Sequence, residues 1–174
     1  GVLAAIGCCL LIAFEIPPIQ ALPQNDSSTP VAAIDYLDEI GADKSKTRIL
    51  NFFNSGGYFE YRGYKVVMDP RPELWAPSVT GLSFDYYTEF VDMTLGDTYI
   101  DDYIAKYDLN VYVVDKADAS VDIFKNQEIY LEISGGDDYR AFIKRDAYEY
   151  ITGKDISTAP KAVRHTSKAS AERS

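Results

Sequence analysis

Two polar segments of the chain bring charged, aromatic and glycine residues together at short spacing. The first runs from Asn51 to Gly57 and contains paired glycines, which permit positive φ and close approach of another backbone. The second runs from Asp69 to Trp75 and contains two prolines, which would hold its side chains in place at low entropic cost. Each segment follows an apolar run typical of a buried strand, so both are predicted to lie at one edge of a parallel sheet, where ligands commonly bind.

The side chains of these segments suit a polar binding pocket. Arg71 would hold an anionic group, because its rigid guanidinium binds phosphate or carboxylate through two hydrogen bonds. Asp69 and Glu73 would accept hydrogen bonds from hydroxyls, and aromatic rings would form stacking walls. The alternative is structural: Asp69 caps a turn and pairs with Arg71, while the rings belong to the core or to an interface. The predicted substrate-binding residues are Asn51, Gly57, Tyr58, Asp69, Arg71, Glu73 and Trp75, with Tyr61 as a further wall.

We predict no catalytic residue, metal site or cofactor. The only histidine, His165, lies in a polar carboxyl-terminal tail, so a Ser-His-Asp triad and a Cys/His zinc site are excluded from the folded part. The glycine pair at Gly56 lacks the spacing and the lysine of a phosphate loop. The sequence from Gly135 to Asp138 lacks the ligand spacing of an EF-hand and predicts a hairpin turn instead.

Composition limits the classes of partner. The net charge of -10 and the pI near 4.5 argue against nucleic acid or anionic lipid, since both require a basic face. A hydrophobic fraction of 47%, with 14 Tyr and 8 Phe, is sufficient for a packed core. Both cysteines, Cys8 and Cys9, lie next to each other in an apolar run, so no disulfide framework is expected.

The amino-terminal residues Gly1 to Phe14 are apolar and uncharged. As a helix they would reach about 21 Å, which is less than the roughly 30 Å of a bilayer's hydrocarbon core. A signal peptide would begin with Met and basic residues, and a lipoprotein signal would end at Cys8, whereas here the apolar run continues. We therefore expect the end of a transmembrane helix that begins upstream.

Charge then predicts the side of the membrane. The flank between Phe14 and Lys44 contains acidic residues but no Lys or Arg, whereas cytoplasmic flanks are enriched in both. The soluble domain is therefore expected on the extracytoplasmic side of a cell membrane. The predicted divisions are a truncated membrane helix over residues 1–14, a proline-containing linker over 15–29, a soluble domain over 30–153 and a disordered tail over 154–174.

Hydrophobic periodicity predicts an α/β fold. Strands separated by helices favour a small mixed sheet, parallel in its first part, with an antiparallel carboxyl-terminal hairpin and helices packed on it. The predicted helices begin at Thr29-Pro30, Ser83 and Thr98, with short ones over Tyr58–Arg62 and Asp118–Phe124. The predicted strands are Arg48–Phe53, Tyr64–Met68 and Val111–Val114, followed by the hairpin of Ile129–Ile133 and Tyr139–Ile143.

The stretch from Ile49 to Arg62 (ILNFFNSGGYFEYR), followed by Lys65 to Trp75 (KVVMDPRPELW), resembles the carboxyl-terminal domain of bacterial polytopic membrane proteins. Those proteins are similar to many-helix glycosyltransferases that use lipid-linked sugars. The shared features are an Asn-containing strand, Gly-Gly-Tyr, and a strand ending in Asp-x-Arg near an aromatic residue. The likeness covers residues 30–146 and includes YIAKYDLNVYVV and the final hairpin.

The resemblance implies an acceptor-binding or accessory role. In oligosaccharyltransferases, which are similar in outline, an aromatic-Asp-Tyr-Gly segment outside the membrane helps to hold the acceptor, and Gly57, Tyr58, Asp69 and Arg71 would be its counterpart. The catalytic carboxylates of such enzymes lie in loops between membrane helices, so this domain would not be catalytic alone. The implied partners are the membrane and a lipid-linked sugar or cell-envelope acceptor. The alternative is a non-enzymatic scaffold or sensor domain that binds a cell-envelope partner.

Overall fold

The structure is a computed structural model that describes residues 30–96, 99–136 and 138–164. The predicted membrane segment, the linker, both cysteines and His165 lie outside these ranges. Within them, no helix has both the length and the apolar character needed to span a bilayer.

The described residues form a six-stranded mixed sheet with the strand order β2-β1-β3-β5-β4-β6. Strand β1 pairs in parallel with β2 and with β3, while β5 pairs antiparallel with both β3 and β4. The predicted α/β fold, parallel in its first part and closed by an antiparallel hairpin, is confirmed. The strands are β1 (Arg48–Asn51), β2 (Lys65–Val66), β3 (Val111–Asp115), β4 (Tyr130–Gly135), β5 (Tyr139–Lys144) and β6 (Val163–Arg164).

Helices cover both faces of the sheet. The helices are α1 (Val31–Ile40), α2 (Gly56–Tyr61), α3 (Pro77–Thr80), α4 (Tyr86–Leu95), α5 (Ile100–Tyr107), α6 (Val121–Phe124) and α7 (Arg145–Thr152), and 3-10 turns span Phe53–Ser55, Pro72–Trp75 and Ile156–Thr158. One apolar cluster joins the sheet to α1, α2 and α7, and the other joins it to α4, α5 and α6.

Strand β3 shows why the central strands have continuous apolar sequences. Val111 and Val113 belong to the first cluster, whereas Tyr112 and Val114 belong to the second. Successive side chains of a strand point to opposite faces, so a strand covered on both faces needs apolar residues at every position.

Several helix starts differ from the prediction: α1 begins at Val31, α2 at Gly56 and α6 at Val121. Helix α4 is capped by Asp85 and not by Ser83, because the Asp85 carboxylate accepts hydrogen bonds from the amides of Tyr87 (2.9 Å) and Thr88 (3.3 Å). Helix α5 begins at Ile100 after Tyr99, and the predicted cap Thr98 lies outside the described residues.

The prediction that the chain is disordered after Gly153 is wrong for residues 154–164. Strand β6 pairs in parallel with the end of β4, and the Tyr36 hydroxyl donates to the Pro160 carbonyl at 2.9 Å. Ile156 and Ala159 also pack on the first apolar cluster. A few apolar contacts and the unpaired edge of β4 are enough to dock a segment whose composition is mostly polar.

Candidate functional site

The strand order creates a divergence between β1 and β3. After β1 the chain crosses to β2 on one side, and it later returns to form β3 on the other side of β1. The connections therefore leave the carboxyl ends of β1 and β3 in opposite directions, which opens a crevice at that edge of the sheet. Ligands of open α/β sheets bind at such switch points.

A cavity of about 570 Å³ occupies this crevice. Its floor is the end of the β1–β3 pair, where the Phe52 amide donates to the Val113 carbonyl at 3.2 Å. The helix pair α4 and α5 closes one side, and the loop after β3 closes another. The lining residues are Leu50, Asn51, Phe52, Phe53, Phe90, Met93, Thr94, Leu95, Gly96, Tyr99, Ile100, Val114, Asp115, Asp118, Ala119, Ser120 and Ile123.

Most of the lining is apolar or aromatic, and part of it is open to solvent. Leu50, Phe90 and Met93 are buried in the second apolar cluster. By contrast, Leu95 is 72% exposed, Tyr99 is 83% exposed and Ile123 is 43% exposed. An exposed apolar rim around a cavity is typical of a binding site, because the rim loses contact with water when a ligand covers it.

The polar groups of the lining come mainly from the loop after β3. Asp115 and Asp118 are both exposed, and one carboxylate oxygen of each accepts a backbone amide, from Ala117 and from Ser120, at 2.8 Å. These short-range hydrogen bonds fix the loop at the cavity. No Lys, Arg or His is among the lining residues in the part of the chain that the structure describes.

Next to the cavity, the loop after β2 holds a second polar cluster around Asp69. The Asp69 side chain is 1% exposed, whereas that of Arg71 is 53% exposed. The Arg71 guanidinium binds the Asp69 carboxylate through the same nitrogen, Nη2, that lies 2.7 Å from Glu60. Asp69 also accepts from the Arg71 amide at 2.9 Å and from the Trp75 indole at 3.3 Å.

These contacts set the ionisation of both carboxyls. Burial disfavours the Asp69 carboxylate, but hydrogen bonds from Arg71 and Trp75 outweigh it and lower the pKa of Asp69 below its ordinary value. Burial raises the pKa of Glu60 despite the nearby Arg71, and so do a hydrogen bond from the Glu60 carboxyl to Asp69 and repulsion by the Asp69 charge. Asp69 therefore caps a turn and pairs with Arg71, as in the structural alternative for this loop. Half of the Arg71 side chain nevertheless remains accessible.

The other predicted binding residues are distributed around this edge. Asn51 is 2% exposed, and its amide nitrogen donates to the carbonyls of Met68 (2.8 Å) and Phe52 (2.9 Å). Asn51 thus ties the end of β1 to the loop after β2. Glu73 is exposed in the 3-10 turn of Pro72–Trp75, and its negative charge helps to raise the pKa of Arg71 after the larger effect of Asp69.

Tyr58 and Tyr61 lie away from the Asp69 cluster. The Tyr58 hydroxyl accepts from the Arg62 guanidinium at 2.7 Å, and its ring packs on the first apolar cluster. Trp75 packs instead on the second cluster, on the opposite face of the sheet. The Tyr61 side chain is 85% exposed, so these rings do not form walls of one pocket.

The glycine pair shows one of the two properties expected of it: Gly56 allows close backbone approach, but neither glycine has a positive φ. Both residues lie in helix α2. A Cβ on Gly56 would collide with the Met68 carbonyl, whereas one on Gly57 would meet no atom within 4 Å among the described residues. Gly56 thus permits close approach of helix α2 to the loop after β2, and Gly57 is exposed.

The sequence prediction placed the candidate site in the loops after β1 and β2 and did not include the loop after β3. Residues 115–120 (DKADAS) have the composition of an ordinary polar loop. The available signal was topological: a third parallel strand placed beside β1 brings its following loop to the same edge.

Comparison of the chain with protein-family models, with curated proteins and with solved structures finds no match.

Proposed function

We propose that the chain is an extracytoplasmic accessory domain that binds the acceptor of a membrane glycosyltransferase-like protein, and that the acceptor binds in the cavity between β1 and β3. The observation that carries the proposal is the cavity itself, about 570 Å³ at the divergence of the parallel strands. Ligand pockets of small molecules occupy roughly 300–1,000 Å³, so the cavity accommodates a molecule of one or two sugar rings.

The lining matches the chemistry of a sugar. Phe52, Phe53 and Tyr99 provide aromatic surface on which the apolar face of a sugar ring stacks. The carboxylates of Asp115 and Asp118 accept hydrogen bonds from ring hydroxyls. Phe52 and Phe53 follow directly on β1, and both aspartates lie at the end of β3 or in the loop after it, so these groups are held in position before the ligand binds.

The position of helix α1 supports an acceptor close to a membrane. Ala32, near the start of α1, lies beside the side chain of Tyr139, and Tyr139 pairs with Asp115 at the edge where β3 ends. The chain before α1 therefore reaches the domain at the edge that contains the cavity. A 15-residue linker spans at most about 50 Å, so an anchor at residues 1–14 would keep the cavity near the bilayer surface.

Amide chemical shifts of the full 174-residue chain in detergent, titrated with mono- and disaccharides, test the binding role. We expect at least one sugar to shift the amides of Asn51, Val114 and Ser120. The variant Ala119→Trp should abolish these shifts, because Ala119 is an exposed residue of the lining. The matched control is Ala117→Trp, which changes an exposed residue of the same loop outside the lining. Sugar-dependent shifts that persist in Ala119→Trp would contradict the proposal.

The extracytoplasmic location has its own test. Alkaline phosphatase and a cytoplasm-active reporter are each fused to the carboxyl end of the complete membrane protein. The proposal expects activity from alkaline phosphatase, and activity of the cytoplasmic reporter alone would overturn it.

A scaffold or sensor role is favoured by one separate observation. Leu74, Val79 and Leu82 are 41%, 61% and 39% exposed in the segment between β2 and α4, which includes α3. Exposed apolar side chains at this density suit contact with a protein partner. The change Val79→Ser would lower the affinity for such a protein partner. It would leave the sugar-dependent amide shifts at the cavity unchanged.

A further inference from the structure

We propose that the ligand of the cavity between β1 and β3 carries a positively charged ammonium group. In terms of the proposed function, the acceptor is an amine-bearing sugar or a sugar linked to an amine. That the ligand contains a sugar rests on the proposed function. That it carries a positive charge rests on the cavity alone.

Both charged residues in the described lining of the cavity are acidic. Asp115 and Asp118 provide two carboxylates at its mouth, and no basic side chain lies in the described lining to neutralise them. Neither aspartate has an ion pair within the described residues. Each uses one oxygen for a backbone amide, and a carboxylate accepts several hydrogen bonds, so capacity remains for an incoming N–H donor. A chain of net charge -10 adds a long-range preference for cations over anions.

The helix ends at the cavity do not reverse this preference. Thr94, Leu95 and Gly96 place the carbonyl end of α4 in the lining, and that end attracts cations. The amino-terminal end of α5 at Ile100 has the opposite polarity. Its first turn, however, carries Asp101 and Asp102, whose charges offset the partial positive charge of the helix end.

The aromatic lining supplies a second means of holding an ammonium group. The rings of Phe52, Phe53, Phe90 and Tyr99 line the cavity, and an ammonium group is attracted to the face of such a ring. The same fold already holds ammonium groups over aromatic rings elsewhere. The Lys106 amine lies 4.5 Å from the centre of the Phe84 ring, and the Lys44 amine lies 4.9 Å from that of Tyr64.

A matched set of probes separates charge from shape. Glucosamine, glucose and glucuronate share one ring and differ in charge, and phenylethylammonium carries the charge without the sugar. Amide shifts of the full chain are recorded for each probe at low and at physiological salt. We expect glucosamine to bind the cavity about fivefold more tightly than glucose, and glucuronate to bind most weakly.

Variants identify the responsible carboxylates. Asn retains the oxygen that accepts the loop amide, so Asp115→Asn and Asp118→Asn keep the turn and remove only the charge. Each should weaken glucosamine about two- to fivefold, and the pair together about tenfold. Glucose, which bonds the same carboxylates without a charge, should be weakened less, so that the preference for glucosamine over glucose falls. The control is Asp122→Asn, because Asp122 is exposed on α6, pairs with Lys125 at 2.7 Å and lies outside the lining.

The outcomes separate this inference from the proposed function. Equal binding of glucose and glucosamine at the cavity, or equal weakening by Asp122→Asn, overturns the charge preference and leaves the sugar site in place. If phenylethylammonium binds in the cavity and none of the sugars does, the proposal of a sugar ligand is overturned and that of a charged ligand is retained. Failure of every probe to shift the cavity amides overturns both.

Discussion

Gly56 packs directly against the carbonyl oxygen of Met68, so closely that the position has no room for a Cβ. This contact joins the start of α2 to the residue that precedes Asp69. The same carbonyl accepts the Asn51 amide at 2.8 Å. One backbone carbonyl therefore fixes three elements at the edge of the sheet that contains the cavity: the end of β1, the start of α2 and the loop after β2.

Replacement of Gly56 by Ala should destabilise the domain by about 1–3 kcal/mol, because the new methyl group forces the backbone of α2 or of the loop to move. Gly57→Ala is the matched control: the residue is helical and open, so it should be neutral or stabilising by about 0.4–1 kcal/mol. Urea unfolding of the two variants measures both values. Equal stability of the two variants would show that the helix shifts without cost.

Asn51→Ala should cost about 1–3 kcal/mol, because it leaves the Met68 carbonyl buried without its hydrogen bond from the Asn51 side chain. The control is Asn54→Ala, since Asn54 is an exposed neighbour in the following 3-10 turn. Urea midpoints measured on both variants test this. An unchanged midpoint for Asn51→Ala would mean that the strand end is held by backbone contacts alone.

Arg71→Ala should destabilise the domain at neutral pH. The buried Asp69 keeps its bonds from the backbone amide of residue 71 and from the Trp75 indole, but loses its charged partner. The expected loss of stability is larger than the contribution of an exposed ion pair and smaller than the cost of breaking a fully buried one, because half of the Arg71 side chain is exposed. Arg71→Lys should recover part of the loss.

The same pair predicts a pH dependence. The folded pKa of Asp69 lies below its ordinary value of 3.8, so the stabilisation is complete above that value and is lost as the pH falls through the folded pKa. The stability difference between the native chain and Arg71→Ala should therefore be constant near neutral pH and shrink in strong acid. Thermal unfolding of both across this range measures it. A difference that does not depend on pH would mean that Arg71 acts through packing and not through charge.

The sequence was most informative where structure is local. The apolar runs of β1 and β3 and the glycine-rich turn between β4 and β5 predict their elements directly, because burial on both faces and hairpin geometry leave local patterns. Strand β2 is predicted from Tyr64 to Met68 but pairs over only two residues, because the Met68 carbonyl bonds the Asn51 side chain and not the backbone of β1. The cavity could not be predicted in full, because its position depends on β3 pairing with β1 about 60 residues earlier in the chain. No local sequence pattern in Asp115–Ser120 indicates that this loop lies beside the end of β1.

A chain that ends at Gly153 should be less stable than the native chain, in contrast to the tolerance that its polar composition suggests. The truncation removes the β6–β4 pairing, the Tyr36–Pro160 hydrogen bond and the apolar contacts of Ile156 and Ala159. We expect a fall in Tm of at least about 4 °C, the scale of roughly 1 kcal/mol for a domain of this size. Tyr36→Phe in the native chain isolates the hydrogen bond and should account for about 1 kcal/mol of the loss. An unchanged Tm on truncation would show that residues 154–164 contribute no stability, even though they pair with β4.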